Sequence, residues 1–177
     1  MTTPQNPLRD TLVTQFDTAW ALARYHLETL STEECLARPG PVGLQLERGT
    51  DGLWRGVLPQ SESYTIGPPS IAWLTWHLGA WWSMVQNHSF GDATLTMDHV
   101  IWPGNAEAVR TWLDALHDEW RGSVLRLSDA DLHATERSRW PLTGRPFADI
   151  VAWANLELMK NAAEVGYARF VLGASAT

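Results

Sequence analysis

The 177-residue sequence has one cysteine and no dense group of positive charge, and each shortage disfavours a class of protein. The lone Cys35 cannot form a disulfide within the chain, and no charged segment followed by an apolar segment marks a secretory signal. These features predict a cytoplasmic protein. The net charge of -7 and the pI of about 5.3 argue against a nucleic-acid partner, because phosphate backbones attract clustered lysine and arginine.

Long apolar runs and common catalytic motifs are missing as well. The longest apolar run, from Ser70 to Val85, is interrupted by His77 and falls short of the roughly 20 residues that cross a bilayer. We therefore expect no membrane partner and interpret this run as a buried helix. The chain also lacks His-Glu-x-x-His, Gly-x-Ser-x-Gly, Gly-x-Gly-x-x-Gly and phosphate-binding-loop motifs, which removes support for common hydrolase and nucleotide chemistry.

Tryptophan, by contrast, is abundant. The chain contains 11 tryptophans and is 45% apolar, so it can bury a sizeable core, and its length predicts a single domain over residues 1–177. Because so many indole rings exceed what four helix faces can easily bury, we expect a homodimer. Trp73, Trp76 and Trp82 are the candidates for the interface or for loop packing.

Apolar residues recur at alternating intervals of three and four in four segments, which is typical of amphipathic helices. The predicted helices cover residues 8–30, 70–87, 105–127 and 146–172. A capping box at Ser31 and a similar turn at Ser128 predict short extra helices in the connections. Since no segment alternates as a strand does, the pattern predicts an all-α four-helix bundle.

The connection between residues 39 and 69 is rich in glycine and proline and has no sustained period. We expect a long ordered loop that is anchored by Leu44, Leu46, Trp54 and Tyr64. Loops of this length often serve a function, such as covering a binding site.

Three polar residues interrupt the apolar surface of the last predicted helix. Asn161 lies in the core stripe, and Glu157 and Glu164 lie on the adjoining stripe. Burying such groups unpaired costs about 1–3 kcal/mol for an amide and more for a carboxylate, so they need partners, a metal or a water-filled pocket. His77 falls at the edge of the bundle-facing side of the second helix, whereas His117 is expected to face solvent. These patterns fit either a functional site or a hydrogen-bonded structural core.

Two segments resemble the DinB-like helix-bundle family, whose members are described as metalloenzymes. They are Ser70–Leu78 (SIAWLTWHL) and Trp153–Glu164 (WANLELMKNAAE), supported by the turn LSDADL that ends at Leu132. The resemblance covers nearly the whole chain. It implies an up-down-down-up bundle that is often dimeric.

The resemblance also implies a set of site residues. In that family a histidine on the second helix and two histidines four residues apart on the last helix typically bind a divalent cation such as zinc or nickel. His77 matches the first ligand, and the last-helix pair falls on Glu157 and Asn161. Glutamate can bind zinc but a neutral asparagine oxygen is a poor ligand, so metal affinity should be weak. Some members are transferases or isomerases that use low-molecular-weight thiols.

Two functional hypotheses follow from these residues. In the first, His77, Glu157 and Asn161 line a pocket that holds a weakly bound zinc or nickel ion, or a water, in a metal- or thiol-dependent transferase or isomerase. In the second, the same residues form a metal-free polar core in a non-catalytic bundle that binds a small molecule or dimerises. Both leave the substrate open, because a shared fold does not transfer a reaction.

Overall fold

The structure is a computed structural model that describes residues 5–61 and 63–175. Within these residues the four long helices are α1 (Pro7–Leu27), α3 (Ile71–Phe90), α4 (Ala106–Leu125) and α6 (Phe147–Ser175). The connections contain the short helices α2 (Thr32–Leu36) and α5 (Asp129–His133), and the antiparallel two-residue strands β1 (Glu47–Arg48) and β2 (Trp54–Arg55). The prediction of a mostly helical chain with short extra helices is confirmed, and the small strand pair was not expected. No helix in the described ranges has the length and apolar character needed to cross a membrane.

Side-chain caps determine where several helices begin. The Ser31 hydroxyl accepts a hydrogen bond from the Glu34 N–H at 3.1 Å, and the Glu34 carboxylate accepts one from the Ser31 N–H at 2.9 Å. Ser70 and Asn105 cap α3 and α4 by accepting from N–H groups one turn further on. Because these partners are close in sequence, the predicted helix starts near residues 31, 70 and 105 are confirmed.

The first helix is capped instead from a distant part of the chain. The Asp129 carboxylate, at the start of α5, accepts hydrogen bonds from the Leu8 and Arg9 N–H groups at 3.0 Å each. The Asn6 side chain accepts in return from the Asp129 N–H, also at 3.0 Å. A carboxylate at a helix N-terminus interacts favourably with the helix dipole, so α5 stabilises the start of α1.

Helix α6 packs along the length of α1 and also against α3. Near the start of α6, the buried Asn155 donates a hydrogen bond from Nδ2 to the Leu12 carbonyl oxygen at 2.9 Å. Near its other end, Arg169 donates to the His26 carbonyl oxygen at 2.7 Å. These two contacts hold α6 against α1 at both ends of the shared surface.

None of the eleven tryptophan side chains is exposed, because the core and its loops cover them all. The indole of Trp73 donates to the Val57 carbonyl oxygen at 3.1 Å, and that of Trp76 donates to the Val100 carbonyl oxygen at 2.9 Å. Trp82 is 1% exposed. Assigning these three residues to an interface between copies is therefore wrong, whereas loop packing is confirmed for Trp73 and Trp76. The tryptophan count gives no support to a homodimer, which stays a prediction.

The long loop before α3 lies against the bundle through three of its four predicted anchors. The Ser70 N–H donates to the Leu44 carbonyl oxygen at 2.9 Å, and Leu46 is buried. Trp54 is half-buried and joins the next connection through the isolated bridge to residue 102. The fourth anchor is wrong, because Tyr64 lies in a short 3-10 turn and its side chain is fully exposed.

The close packing of α3 on α4 gives a test of the fold at Gly79. A Cβ atom on Gly79 would lie 2.0 Å from the Trp112 ring, far inside contact distance. We therefore expect Gly79→Ala to lower the free energy of unfolding by about 1–3 kcal/mol through overpacking. Gly122→Ala is the matched control, since its Cβ would come no closer than 3.5 Å to Arg126 and alanine favours a helix by up to about 1 kcal/mol. Urea unfolding measures both variants, and equal effects would contradict the close approach.

Candidate functional site

His77 is buried near the middle of α3, with 7% of its surface exposed. Its Nε2 accepts a hydrogen bond from the Trp81 indole N–H at 2.9 Å, one turn further along the helix. An indole nitrogen can only donate, so Nε2 is the unprotonated nitrogen of a neutral ring and the hydrogen lies on Nδ1. The Trp73 ring stacks on the imidazole with the ring centroids 4.8 Å apart and the planes 12° apart. Indole groups therefore fix both the tautomer and the plane of His77.

The other side of the His77 ring faces Asn161 on α6. Nδ1 of His77 lies 3.1 Å from Oδ1 of Asn161, and the tautomer makes Nδ1–H the donor. Asn161, which is 1% exposed, donates from Nδ2 to the Glu157 carbonyl oxygen at 2.7 Å and lies 3.5 Å from Glu157 Oε2. The Glu157 carboxylate then pairs with Lys160 at 3.1 Å. We call Trp81, His77, Asn161 and Glu157 the polar chain, because their hydrogen bonds all point from Trp81 toward Glu157.

The three residues that the sequence singles out are thus brought together in the structure. His77 contacts Asn161 directly and reaches Glu157 through it. Glu164, the third polar residue of the same helix surface, lies three residues beyond Asn161 and lines a separate cavity. The polar interruption of an apolar stripe was therefore a useful signal for where polar groups meet.

A zinc or nickel ion does not fit the polar chain as it is arranged. Metal ligation uses the lone pair of an imidazole nitrogen, but Nε2 of His77 is directed at Trp81 and Nδ1 carries the hydrogen. Asn161 offers a neutral oxygen that already accepts from His77, and the Glu157 carboxylate is paired with Lys160. Across residues 5–61 and 63–175, no group of three or more His, Cys, Asp or Glu is placed to hold a metal ion. Metal binding here stays a prediction, and it requires Trp81 or Asn161 to move.

The only thiol of the chain is a poor candidate for a nucleophile. Cys35 is fully buried, and this burial, together with the nearby Glu34 carboxylate, raises the pKa of the thiol to about 12. The thiolate is the reactive form of cysteine, and at neutral pH almost none is present. Any thiol-dependent reaction of this protein would need an external thiol.

A cavity of about 460 Å³ lies one helical turn from the polar chain. Leu74, in its wall, precedes His77 by three residues, and Glu164 follows Asn161 by three. The remaining wall is formed by three prolines at the ends of the long loop and by one surface of α6: Pro39, Pro68, Pro69, Ala163, Tyr167, Ala168 and Val171. Among these lining residues Glu164 is the only charged one. The cavity is thus a mainly apolar space with a single carboxylate.

Trp81 is the site residue that the sequence analysis missed. Its ring packs against Trp140, with centroids 4.5 Å apart, and against Trp153, with centroids 6.0 Å apart. The position of Trp81 four residues after His77 was the available signal, since residues at this spacing are neighbours on a helix. The sequence could not show that Trp81 donates a hydrogen bond to His77, because that requires knowing which nitrogen of the His77 ring faces the indole.

Removing the Asn161 side chain tests the contribution of the polar chain to stability. Asn161→Ala leaves the His77 Nδ1–H without its acceptor in a buried place, so we expect the free energy of unfolding to fall by about 1–3 kcal/mol. Lys160→Ala is the neighbouring control, because it removes only a surface partner of Glu157 and should cost less than about 1 kcal/mol. Urea unfolding compares the two variants. Equal losses would contradict the expectation that the buried hydrogen bond contributes more stability than the surface ion pair.

Comparison with known families assigns the chain to one of them. A family model described as the DinB superfamily matches residues 15–165, which include the whole polar chain. Searches of curated proteins and of solved structures gave no match to this chain. The family model covers most of the sequence and confirms the resemblance seen in the segments around His77 and Asn161. The chain belongs to the DinB superfamily.

Proposed function

We propose that this protein is a non-catalytic member of the superfamily that binds a small molecule in the cavity beside a metal-free polar chain. The observation that carries the proposal is that both ring nitrogens of His77 are hydrogen-bonded to protein groups. An imidazole in this state is neither an open metal ligand nor a free base. The neighbouring cavity is accordingly the better candidate for a ligand.

The size and lining of the cavity favour one class of ligand. Its volume of about 460 Å³ falls within the range of about 300–1,000 Å³ that is typical of small-molecule sites. The proline and aliphatic walls favour an apolar body, since burial contributes about 25 cal/mol per Å² of apolar surface. The Glu164 carboxylate favours a cationic end, and the net charge of -7 attracts cations from solution. We therefore propose a small apolar amine.

We also propose that the four long helices run up-down-down-up. The two hydrogen bonds between α1 and α6 each join residues that are 143 positions apart. Because this separation is constant, the two helices advance in the same direction and are parallel. Moving along α3 from His77 to Trp81 moves the contact on α6 back from Asn161 to Trp153, as in antiparallel helices. Between α3 and α4, Gly79 lies against Trp112 and Gln86 pairs with Glu119. The residue numbers of both helices increase from the first contact to the second, as in parallel helices.

A pair of probes with the same shape and opposite charge tests the ligand class. We expect 3-phenylpropylamine to raise the melting temperature. At 100 times its dissociation constant it should add about 2.7 kcal/mol to the free energy of unfolding. We expect 3-phenylpropionate to have little effect. Glu164→Gln should weaken the preference for the amine. Val171→Trp should abolish binding by filling the cavity, whereas Leu125→Trp, on the exposed surface of α4, should leave it unchanged. Binding of neither probe, or binding that survives Val171→Trp, would refute the proposal.

The rival proposal is a metal- or thiol-dependent transferase or isomerase. It predicts a different effect of Glu157→Gln on metal content and melting temperature. If a cation binds at His77, Glu157 and Asn161, Glu157→Gln should lower zinc or nickel occupancy and remove any metal-dependent rise in melting temperature. If the polar chain is metal-free, the variant should shift melting equally with zinc, with nickel and with chelator. We expect the second result. Near-stoichiometric metal in wild-type protein purified without an affinity tag, and its loss in the variant, would establish the rival.

A further inference from the structure

A second cavity, of about 270 Å³, lies between the end of α1 and the first half of α4. It shares no lining residue with the apolar cavity near the polar chain. We call this second space the α1–α4 cavity. Two positive and three negative side chains line it: Arg24, Glu28, Glu107, Arg110 and Asp114. Charged groups of both signs indicate a ligand unlike that of the apolar cavity.

Arg110 is half-buried, and one side of its guanidinium is held in place by the end of α1. Its Nη1 donates to the carbonyl oxygens of Leu30 at 2.9 Å and Leu27 at 3.4 Å. A guanidinium has five N–H donors, and the three on Nε and Nη2 of Arg110 have no acceptor among the described residues. Two such N–H groups can bind both oxygens of one carboxylate. Arg110 therefore offers the α1–α4 cavity a fixed binding group for a carboxylate.

Glu28 and Glu107 give the α1–α4 cavity the opposite preference. Both residues are exposed, and neither carboxylate has a hydrogen-bond or ion-pair partner within residues 5–61 and 63–175. Glu28 is the C-cap of α1, where the negative end of the helix dipole makes a carboxylate unfavourable. A positively charged group of a ligand would offset this cost. The two glutamates therefore favour an ammonium group.

The rest of the wall limits the size and the polarity of the ligand. Trp20 and Leu27, which are 7% and 4% exposed, supply apolar surface. The Arg24 guanidinium and the Asp114 carboxylate lie 3.2 Å apart and neutralise each other, so they add no preference for either charge. The volume of about 270 Å³ is just below the range of about 300–1,000 Å³ that is typical of small-molecule sites. The ligand must therefore be small.

We propose that the α1–α4 cavity binds a free α-amino acid with an apolar side chain. Such a molecule carries a carboxylate for Arg110 and an ammonium group for Glu28 and Glu107. Its side chain can cover the apolar surface of Trp20 and Leu27. A simple anion would be repelled by the two glutamates, and a simple cation would be repelled by the guanidinium. This second site does not depend on the ligand proposed for the apolar cavity.

Three derivatives of one amino acid test this ligand class by isothermal titration calorimetry. L-leucine carries both charges, N-acetyl-L-leucine only the carboxylate and L-leucinamide only the ammonium group. We expect L-leucine to bind about tenfold more tightly than either derivative, because each derivative leaves one charged group of the site unpaired. The same titrations in Val171→Trp, which fills the apolar cavity, exclude binding of the amines there. A chain that does not bind L-leucine, or a Val171→Trp variant that does not bind it or binds all three equally, would overturn the proposal.

Substitutions assign each charge of the ligand to its partner. Arg110→Gln should remove the preference for L-leucine over L-leucinamide. Glu28→Gln combined with Glu107→Gln should remove the preference over N-acetyl-L-leucine, and this double variant breaks no side-chain contact among the described residues, so it serves even if Arg110→Gln fails to fold. Glu136→Gln, at an exposed glutamate outside the cavity, is the control and should keep both preferences. Since each preference is a ratio within one variant, a loss of stability alone would not change it, and an unchanged ratio in either site variant would overturn the assignment.

Discussion

A buried tryptophan brings one N–H donor into the core, and leaving that donor without an acceptor is unfavourable. Within the part of the chain that the structure describes, the buried indole N–H groups of Trp82 and Trp153 have no acceptor, whereas four other indoles have one. Trp73 and Trp76 find theirs in backbone oxygens of the loops, and Trp102 finds its acceptor in a hydroxyl group on α3 at 3.0 Å. These bonds hold the irregular connections against the bundle. Trp81 finds its acceptor in the His77 ring, and the same requirement thereby sets the tautomer of that ring and the direction of every hydrogen bond that follows.

The tautomer of His77 also determines what its ring can do between the two helices. With one nitrogen of His77 accepting and the other donating, the imidazole works as a connector between α3 and α6. The loop that the tryptophans hold in place supplies Pro39, Pro68 and Pro69 to the cavity one turn away. The chain thus belongs to the superfamily, but what it binds depends on the side chains of its own cavity, because function resides in sites rather than in folds.

What the sequence could predict depended on how near the interacting partners lie along the chain. The helices that start at Ser31, Ser70 and Asn105 are each capped by a hydrogen bond between residues three positions apart. Their starts were therefore predicted correctly from the sequence. His117 was expected in solvent, which is wrong, because its ring stacks between Phe16 and Trp20 of α1, about a hundred residues earlier. The two-residue strands are too short to show alternation. In the same way, the polar interruptions predicted where His77 and Asn161 meet, whereas the direction of their hydrogen bonds required the fold.

The position of Glu157 and Asn161 determines what substitutions in this core could change. They lie four residues apart on one helix, a spacing at which two side chains can reach one ion, and Asn161 already lies 3.1 Å from the ring of His77. The backbone thus brings side chains of α3 and α6 within reach of one another, and the identity of those side chains decides what this part of the core can bind. Substitutions at these positions would therefore change which groups the core offers to a ligand, while the helices that present them keep their course.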